Sequence, residues 1–277
     1  MLYGIGCFVW RKESDVMEGE LIRACSLQEA LALKDQNAAF FAGGTGIGYK
    51  DSGICAKKLI VIPDLDGIHE ISQENGAVRI GALVTFTQAL AHPVVPGYLK
   101  EAIRFCGSLQ KRNRATIAGN VASWRCDSYL IPTLIASGAV LCIAGKGGES
   151  QCGIDSFLAD RSIYTDSLIT AIIVKQDAGA TGAKEDVRVL SKRFANTVES
   201  HAYLTISMGR VEETYRIGMA IKGSGIFSPD IMNWGIAWKT ANVTDDMFGS
   251  EEYKRYLTKV TLESMYEELC REGGSES

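Results

Sequence analysis

No cysteine pair or cluster is present: the 8 cysteines, Cys7, Cys25, Cys55, Cys106, Cys126, Cys142, Cys152 and Cys270, stand singly. Without a C-x-x-C or closely spaced framework, neither a disulfide-stapled secreted domain nor a zinc centre is expected, and the usage fits a reducing cytoplasm. A plant-type iron–sulfur cluster needs a C-x4-C-x2-C run, which is also missing. Basic blocks are absent. Lys and Arg total 29 against 33 Asp and Glu, a net charge of −4, so counterion release on a polyanion has no source and no nucleic-acid partner is expected. Only 3 histidines occur, His69, His92 and His201, each apart from any Ser–acid or Cys pattern, so no nucleophile–base pair is read.

Membrane signals are lacking too. The apolar start, residues 1–10, has no basic residue ahead of it and no small-residue cleavage site before Arg11, against a signal peptide. The uncharged run 128–145 contains Pro132, Ser137 and Gly138 and reads as a buried helix followed by a strand. No membrane association is expected. No internal repeat or low-complexity tract is visible.

What is present is ample core: 46% of 277 residues are hydrophobic, enough for two domains at about 150 residues each. Ser26 and Glu29 open a helix over 27–34, Phe40 and Phe41 form a short strand, and 58–62 is a β-branched strand stopped by Pro63. The opening is therefore β-α-β-like. Asn75-Gly76 marks a tight turn before the strand Val78-Arg79-Ile80, and Thr85 with Gln88 caps a helix ending before Pro93. A further helix is expected over 98–106, strands over 139–144 and 168–175, and a hairpin turn at 145–148. The small-residue stretch 177–183 reads as a linker, followed by a strand over 187–190 and a closing helix from Glu251 to about Glu272. Glu251, Glu252, Lys254 and Arg255 beside Tyr256, Leu257 and Met265 read as an amphipathic helix on its own domain. Trp124, Trp234 and Trp238 read as packing or interface anchors, although Trp124, four residues past Asn120, could instead cover the mouth of a ligand site.

Two segments carry chemistry. In Ala42-Gly43-Gly44-Thr45-Gly46-Ile47-Gly48, glycines let backbone N–H groups approach a phosphate, with the Thr45 hydroxyl as a further donor. Tyr49 stands where a P-loop has lysine, and the glycine spacing misses G-x-G-x-x-G. A second segment, Arg112 to Asn120, adds another hydroxyl, bare backbone and an amide. Together they suit a dinucleotide whose diphosphate is gripped from two sides.

Phe41-Ala42-Gly43-Gly44-Thr45, then Val78-Arg79-Ile80-Gly81-Ala82, then Ala115-Thr116-Ile117-Ala118-Gly119-Asn120 and Pro132-Thr133-Leu134 occur in an order that resembles the FAD-binding subunits of molybdenum hydroxylases, the family of the xanthine dehydrogenase and carbon monoxide dehydrogenase flavoproteins. The resemblance runs over about 20–175; residues 1–16 have no counterpart, so the family-like start is expected near Met17.

It implies an α+β fold: a two-lobed FAD-binding domain of the vanillyl-alcohol-oxidase (PCMH) type over 1–176, with lobes at about 17–75 and 76–176, and a smaller C-terminal α+β domain over 184–277. By motif position, Ala42, Gly43, Gly44, Thr45, Gly46 and Ile47 would line the diphosphate and reach the flavin, and Thr116, Gly119 and Asn120 would hold the diphosphate from the other side. Ile68 would be an apolar contact to the ring and Lys192 a lysine near it. Ala118 replaces the family's usual glycine. The family's aspartate at the adenosine half falls on Tyr129; Asp127 serves in its place through a shifted loop, or Tyr129 stacks instead.

The implied function is electron transfer in a heteromeric complex. A molybdenum-cofactor subunit and a [2Fe-2S] subunit would deliver electrons to FAD here, and NAD+ or another acceptor would take them. The chemistry is the cofactor's, so no side chain is assigned as acid, base or nucleophile. Two alternatives stand beside this: a scaffold subunit poor in flavin, and a stand-alone FAD-dependent reductase resembling the cell-wall precursor enzyme that reduces an enolpyruvyl-UDP-sugar.

Overall fold

The computed structural model describes residues 5–12, 15–47, 56–180, 187–197, 200–229, 236–241 and 243–273. Gly48 and Trp234 lie outside them. Three sheets follow one another along the chain. The first has the order β1-β2-β4-β3, from β1 (Ile5–Lys12), β2 (Asp15–Arg23), β3 (Ala38–Phe41) and β4 (Lys58–Val61). β4 runs parallel to both β2 and β3, while β1 is antiparallel to β2 and forms the outer strand. Residues 5–12, within the stretch that has no counterpart in the resemblance, thus contribute a strand to this sheet. Between β2 and β3 lies α1 (Leu27–Leu33), where the Ser26 side chain accepts from the Glu29 N–H. Its Ala30 packs with Ala24, Ala38 and Ile60, a core of small residues that brings helix and sheet close together.

The second sheet, β5-β6-β9-β7-β8, is antiparallel throughout. Its strands are β5 (Ile71–Glu74), β6 (Ala77–Gly81), β7 (Val140–Gly145), β8 (Gly148–Gly153) and β9 (Leu168–Lys175). Asn75 and Gly76 both take positive φ, 53° and 83°, the conformation of a type I′ hairpin turn. Between β6 and β9 the chain also forms α2 (Phe86–Ala91), α3 (Gly97–Arg104), α4 (Leu109–Arg112), α5 (Ile117–Ser123), α6 (Leu130–Ala136) and α7 (Ile154–Ala159). Thr85 and Gln88 form the reciprocal capping box at α2. Every residue of α6 is buried, Pro132 included, which the first turn accepts because its N–H has no helical acceptor.

The third sheet is an antiparallel meander of β10 (Val187–Phe194), β11 (Leu204–Val211), β12 (Thr214–Ile221) and β13 (Gly225–Phe227). It rests on α6 because two positions lack a side chain. A Cβ on Gly218 would lie 2.4 Å from the Pro132 carbonyl oxygen, and one on Gly209 would lie 2.1 Å from that of Ala136. Three hydroxyls lock the contact: Ser191 Oγ lies 2.9 Å from Thr133 Oγ1 and 2.8 Å from Ser207 Oγ.

The chain closes with α8 (Ala237–Thr240) and α9 (Glu251–Gly273), the latter packing Leu262, Met265 and Leu269 on the far face of the sheet. Here the structure corrects the sequence reading. Lys254, a charged residue of the amphipathic pattern, is 1% exposed; its Nζ is 2.7 Å from Asp246 Oδ1 and donates to Thr244 O at 2.9 Å. Tyr256, an aromatic residue of the same pattern, is 61% exposed. The segment before α9 folds back beneath its first turn and supplies both partners for the ammonium. Among the described residues no helix is long and apolar enough to cross a membrane, and no His, Cys, Asp and Glu cluster suits a metal ion.

Candidate cofactor-binding site

The two glycine- and threonine-bearing segments meet. The first is the loop leaving β3; the second links α4 to α5. A Cβ on Gly43 would sit 1.7 Å from the Arg114 carbonyl oxygen, so only hydrogen fits there. Gly44 has φ +70°, and a Cβ there would also meet the Phe41 ring at 2.8 Å. Among the described residues, the N–H groups of Gly43, Gly44 and Gly46 have no backbone acceptor. They form a run of donors at the edge of the gap between the first two sheets.

Facing them, Thr116 caps α5 by accepting from the Gly119 N–H at 3.0 Å. Asn120 Oδ1 accepts from Ser128 Oγ at 2.9 Å, which makes the amide nitrogen its donor end for a ligand. Beneath lies a cavity of about 590 Å³ with apolar walls that include Phe86, Ile143, Phe157, Leu168 and Ile169. Its size falls within the range for small-molecule and cofactor sites, about 300–1,000 Å³. Ala42 to Ile47, Thr116, Gly119, Asn120 and Asp127 all line it, as does Ala118 with its additional methyl.

Ile68 and Lys192 do not line it. Ile68 is 1% exposed inside the core of the second sheet, and Ile62 and Ala82 take the wall instead. Lys192 is exposed on β10, opposite Ile206. Its neighbour Arg193 turns inward, 4.4 Å from the Phe105 ring centroid, and donates from Nη1 to the Tyr129 hydroxyl at 3.3 Å. Trp124 stands edge-on to Phe157 at 5.8 Å and so braces the wall from behind.

Both residues weighed for the adenosine half already have partners. Asp127 accepts from Arg125 through both oxygens, at 2.9 and 2.7 Å, and its Oδ2 is 3.5 Å from His201 Nδ1. The Tyr129 hydroxyl accepts from the Ala202 N–H at 2.7 Å and donates to Ser200 O at 3.0 Å. Burial raises its pKa, only partly opposed by Arg193 and the Ala202 N–H, so the phenol stays protonated and keeps both roles. Lys34, Lys111, Arg125 and His201 complete the charged wall. Sequence inspection missed these four, because nothing local distinguishes them from solvated surface charge or an isolated histidine. Burial lowers the His201 pKa against the pull of Asp127, with Arg125, Lys111 and Lys222 acting in the same direction as burial. Cys106, also on the wall, is pushed up to about 12 by burial and is therefore a neutral thiol.

The donor run, the close approach at Gly43 and the long apolar cavity suit a flavin dinucleotide: N–H groups and cations for the diphosphate, aliphatic and aromatic walls for the rings. Comparison with known proteins agrees. The model described as the FAD binding domain in molybdopterin dehydrogenase matches residues 16–175. "Uncharacterized protein YgfM" of Escherichia coli (strain K12) is 29% identical over 274 residues, covering 93% of this chain and 98% of that protein. The nicotinate dehydrogenase FAD-subunit of Eubacterium barkeri is 27% identical over 174 residues, 57% of this chain and 59% of that one. Among solved structures, a chain of carbon monoxide dehydrogenase from Hydrogenophaga pseudoflava superposes with a TM-score of 0.72 at 18% identity, covering 88% of this chain and 94% of that one. For quinoline 2-oxidoreductase from Pseudomonas putida 86 the TM-score is 0.71 at 17% identity, covering 87% and 92%. These structural likenesses show the fold, the α+β arrangement of PCMH type expected from the sequence. With the family model spanning more than half of its length, the chain belongs to the family of FAD-binding domains of molybdopterin dehydrogenases.

Proposed function

We propose that this chain is the flavin subunit of a xanthine dehydrogenase-like molybdenum hydroxylase, holding FAD between its first two sheets and relaying electrons from a [2Fe-2S] partner to NAD+ or another acceptor. The observation that carries the proposal is the contact of Gly43 with the Arg114 carbonyl, which sets two phosphate-binding segments edge to edge over one cavity. Bound FAD supplies the redox chemistry through its isoalloxazine. The residues bind and orient. Gly43 to Gly46 offer backbone N–H groups, Thr45 and Thr116 offer hydroxyls, and Asn120 offers an amide to the diphosphate, while Phe86, Phe157 and Ile169 keep water from the rings. The molybdenum cofactor and the iron–sulfur clusters belong to partner subunits in this reading, since the scattered cysteines offer no cluster ligands. The division at 1–176 and 184–277, with lobes at about 17–75 and 76–176, is part of the same proposal.

The test is the visible spectrum of the purified chain, with the released cofactor identified by mass. About one FAD per chain supports the proposal, and co-purification with a molybdenum subunit and a [2Fe-2S] subunit supports its placement. A colourless chain that takes up no added FAD overturns it.

A further inference from the structure

Among the described residues lining the cavity, His201 alone comes from the part of the chain beyond β9. Two contacts hold it there. The Tyr129 hydroxyl grips both neighbours, bonding Ser200 O at 3.0 Å and the Ala202 N–H at 2.7 Å, so the backbone on either side of His201 is pinned to the start of α6. Asp127 Oδ2 lies 3.5 Å from His201 Nδ1. A carboxylate at Nδ1 holds the proton on that nitrogen and makes Nε2 the atom whose protonation changes.

The charge arithmetic follows from Arg125. Its bidentate bond to Asp127 cancels the carboxylate, so the trio Arg125, Asp127 and His201 is neutral with a neutral imidazole and carries +1 with an imidazolium. Among the described residues, the other charged or titratable groups facing the ring are Lys111 on α4, Lys222 following β12 and the Tyr129 phenol. Asn120 and Ser128, bonded to each other, lie on the same wall as Asp127. The only fixed charge of a flavin dinucleotide is its diphosphate.

We propose that His201 is a cofactor-binding residue, its imidazolium adding a positive charge toward the anionic dinucleotide while Asp127 positions the ring. This rests on the FAD reading of the cavity and adds to it a binding group from the C-terminal sheet. Burial holds the imidazole below its usual pKa in the cofactor-free chain, and an approaching diphosphate pulls it up, so binding takes up a proton. Affinity is then highest in mild acid and falls as pH rises through the imidazole pKa.

The experiment is titration of the cofactor-free full-length chain with FAD at pH 6.0 and 8.5, followed by flavin fluorescence. The side chain of His201 is 41% exposed, so His201→Gln leaves the core intact. The wild type binds FAD tighter at pH 6.0 by on the order of tenfold, the size of one screened charge pair across a cavity. His201→Gln binds equally at both pH values, at the level of the wild type at pH 8.5. Asp127→Asn narrows the wild-type gap, because the imidazolium loses its carboxylate. A wild type insensitive to pH, or a His201→Gln variant with the full gap, overturns this proposal and leaves the FAD reading standing. A wild type that takes up no FAD at either pH overturns both.

Discussion

Replacing Gly43 with alanine tests the site at its tightest point. The new Cβ would begin 1.7 Å from the Arg114 carbonyl oxygen, and ordinary contact starts at 3.4 Å, so the two segments must part by about 1.7 Å. Both are half-exposed loops, so the overpacking cost falls at the usual scale of about 1–3 kcal/mol and the chain stays folded. The cofactor loses more. If parting the segments removes two N–H bonds to the charged diphosphate, at about 1.5–3 kcal/mol each, FAD affinity falls by about 10² to 10⁴-fold. Gly147→Ala is the control, since it lies outside the cavity lining and its Cβ would meet nothing within 4 Å, and its affinity should stay within about threefold. The assay is flavin content after gel filtration and Kd by fluorescence, with circular dichroism to confirm folding. A Gly43→Ala protein holding one FAD with unchanged Kd refutes the argument that this contact builds the site.

Three further outcomes are expected. Tyr129→Phe leaves the Ala202 N–H without its 2.7 Å acceptor in a buried position and should cost about 1–2 kcal/mol in urea unfolding, with faster hydrogen exchange confined to residues 200–202. Gly218→Ala drives a Cβ to 2.4 Å from Pro132 O and should destabilise by about 2–3 kcal/mol; an unchanged melting temperature would show that the sheet does not rest on α6 as described. Lys254→Met should cost about 2 kcal/mol at neutral pH. Burial pushes the Asp246 pKa up, but the Lys254 bond and the Phe248 and Gly249 N–H groups bring it below its usual 3.8. A depressed carboxyl contributes stability above its unfolded pKa and loses it as pH falls through the folded one, so the wild type loses this part below about pH 4 and the variant loses less, by urea unfolding at pH 7 and pH 3.

Local chemistry was legible wherever the determining interaction is local. The capping box at Thr85 and Gln88, the turn at Asn75-Gly76, and the hairpin closed by Gly145 and Gly148 each depend on atoms within a few residues, and each appears in the structure. The strand over 168–175 and the buried helix ahead of 140–145 were equally readable, because burial on both sides demands an uninterrupted apolar run. The strand Ile5–Lys12 was not read from the sequence: its place depends on pairing with β2, which the apolar start alone does not specify.

Lys254 shows the limit from the other side. Charge and helical spacing assign it to solvent, and only the fold of residues 244–249 beneath α9 supplies the carboxylate and carbonyl that let an ammonium be buried. The cofactor site divides the same way. Glycine, threonine and asparagine in two short segments determined what class of ligand the chain suits, because bare backbone and small donors have that capacity wherever they stand. The tertiary structure alone decided that the segments touch at Gly43, that Ile68 turns into the core while Ile62 faces the cavity, and that Asp127 meets Arg125 and His201. Those are contacts between residues far apart in the chain, and the third sheet is brought to α6 by the absence of a side chain at Gly209 and Gly218.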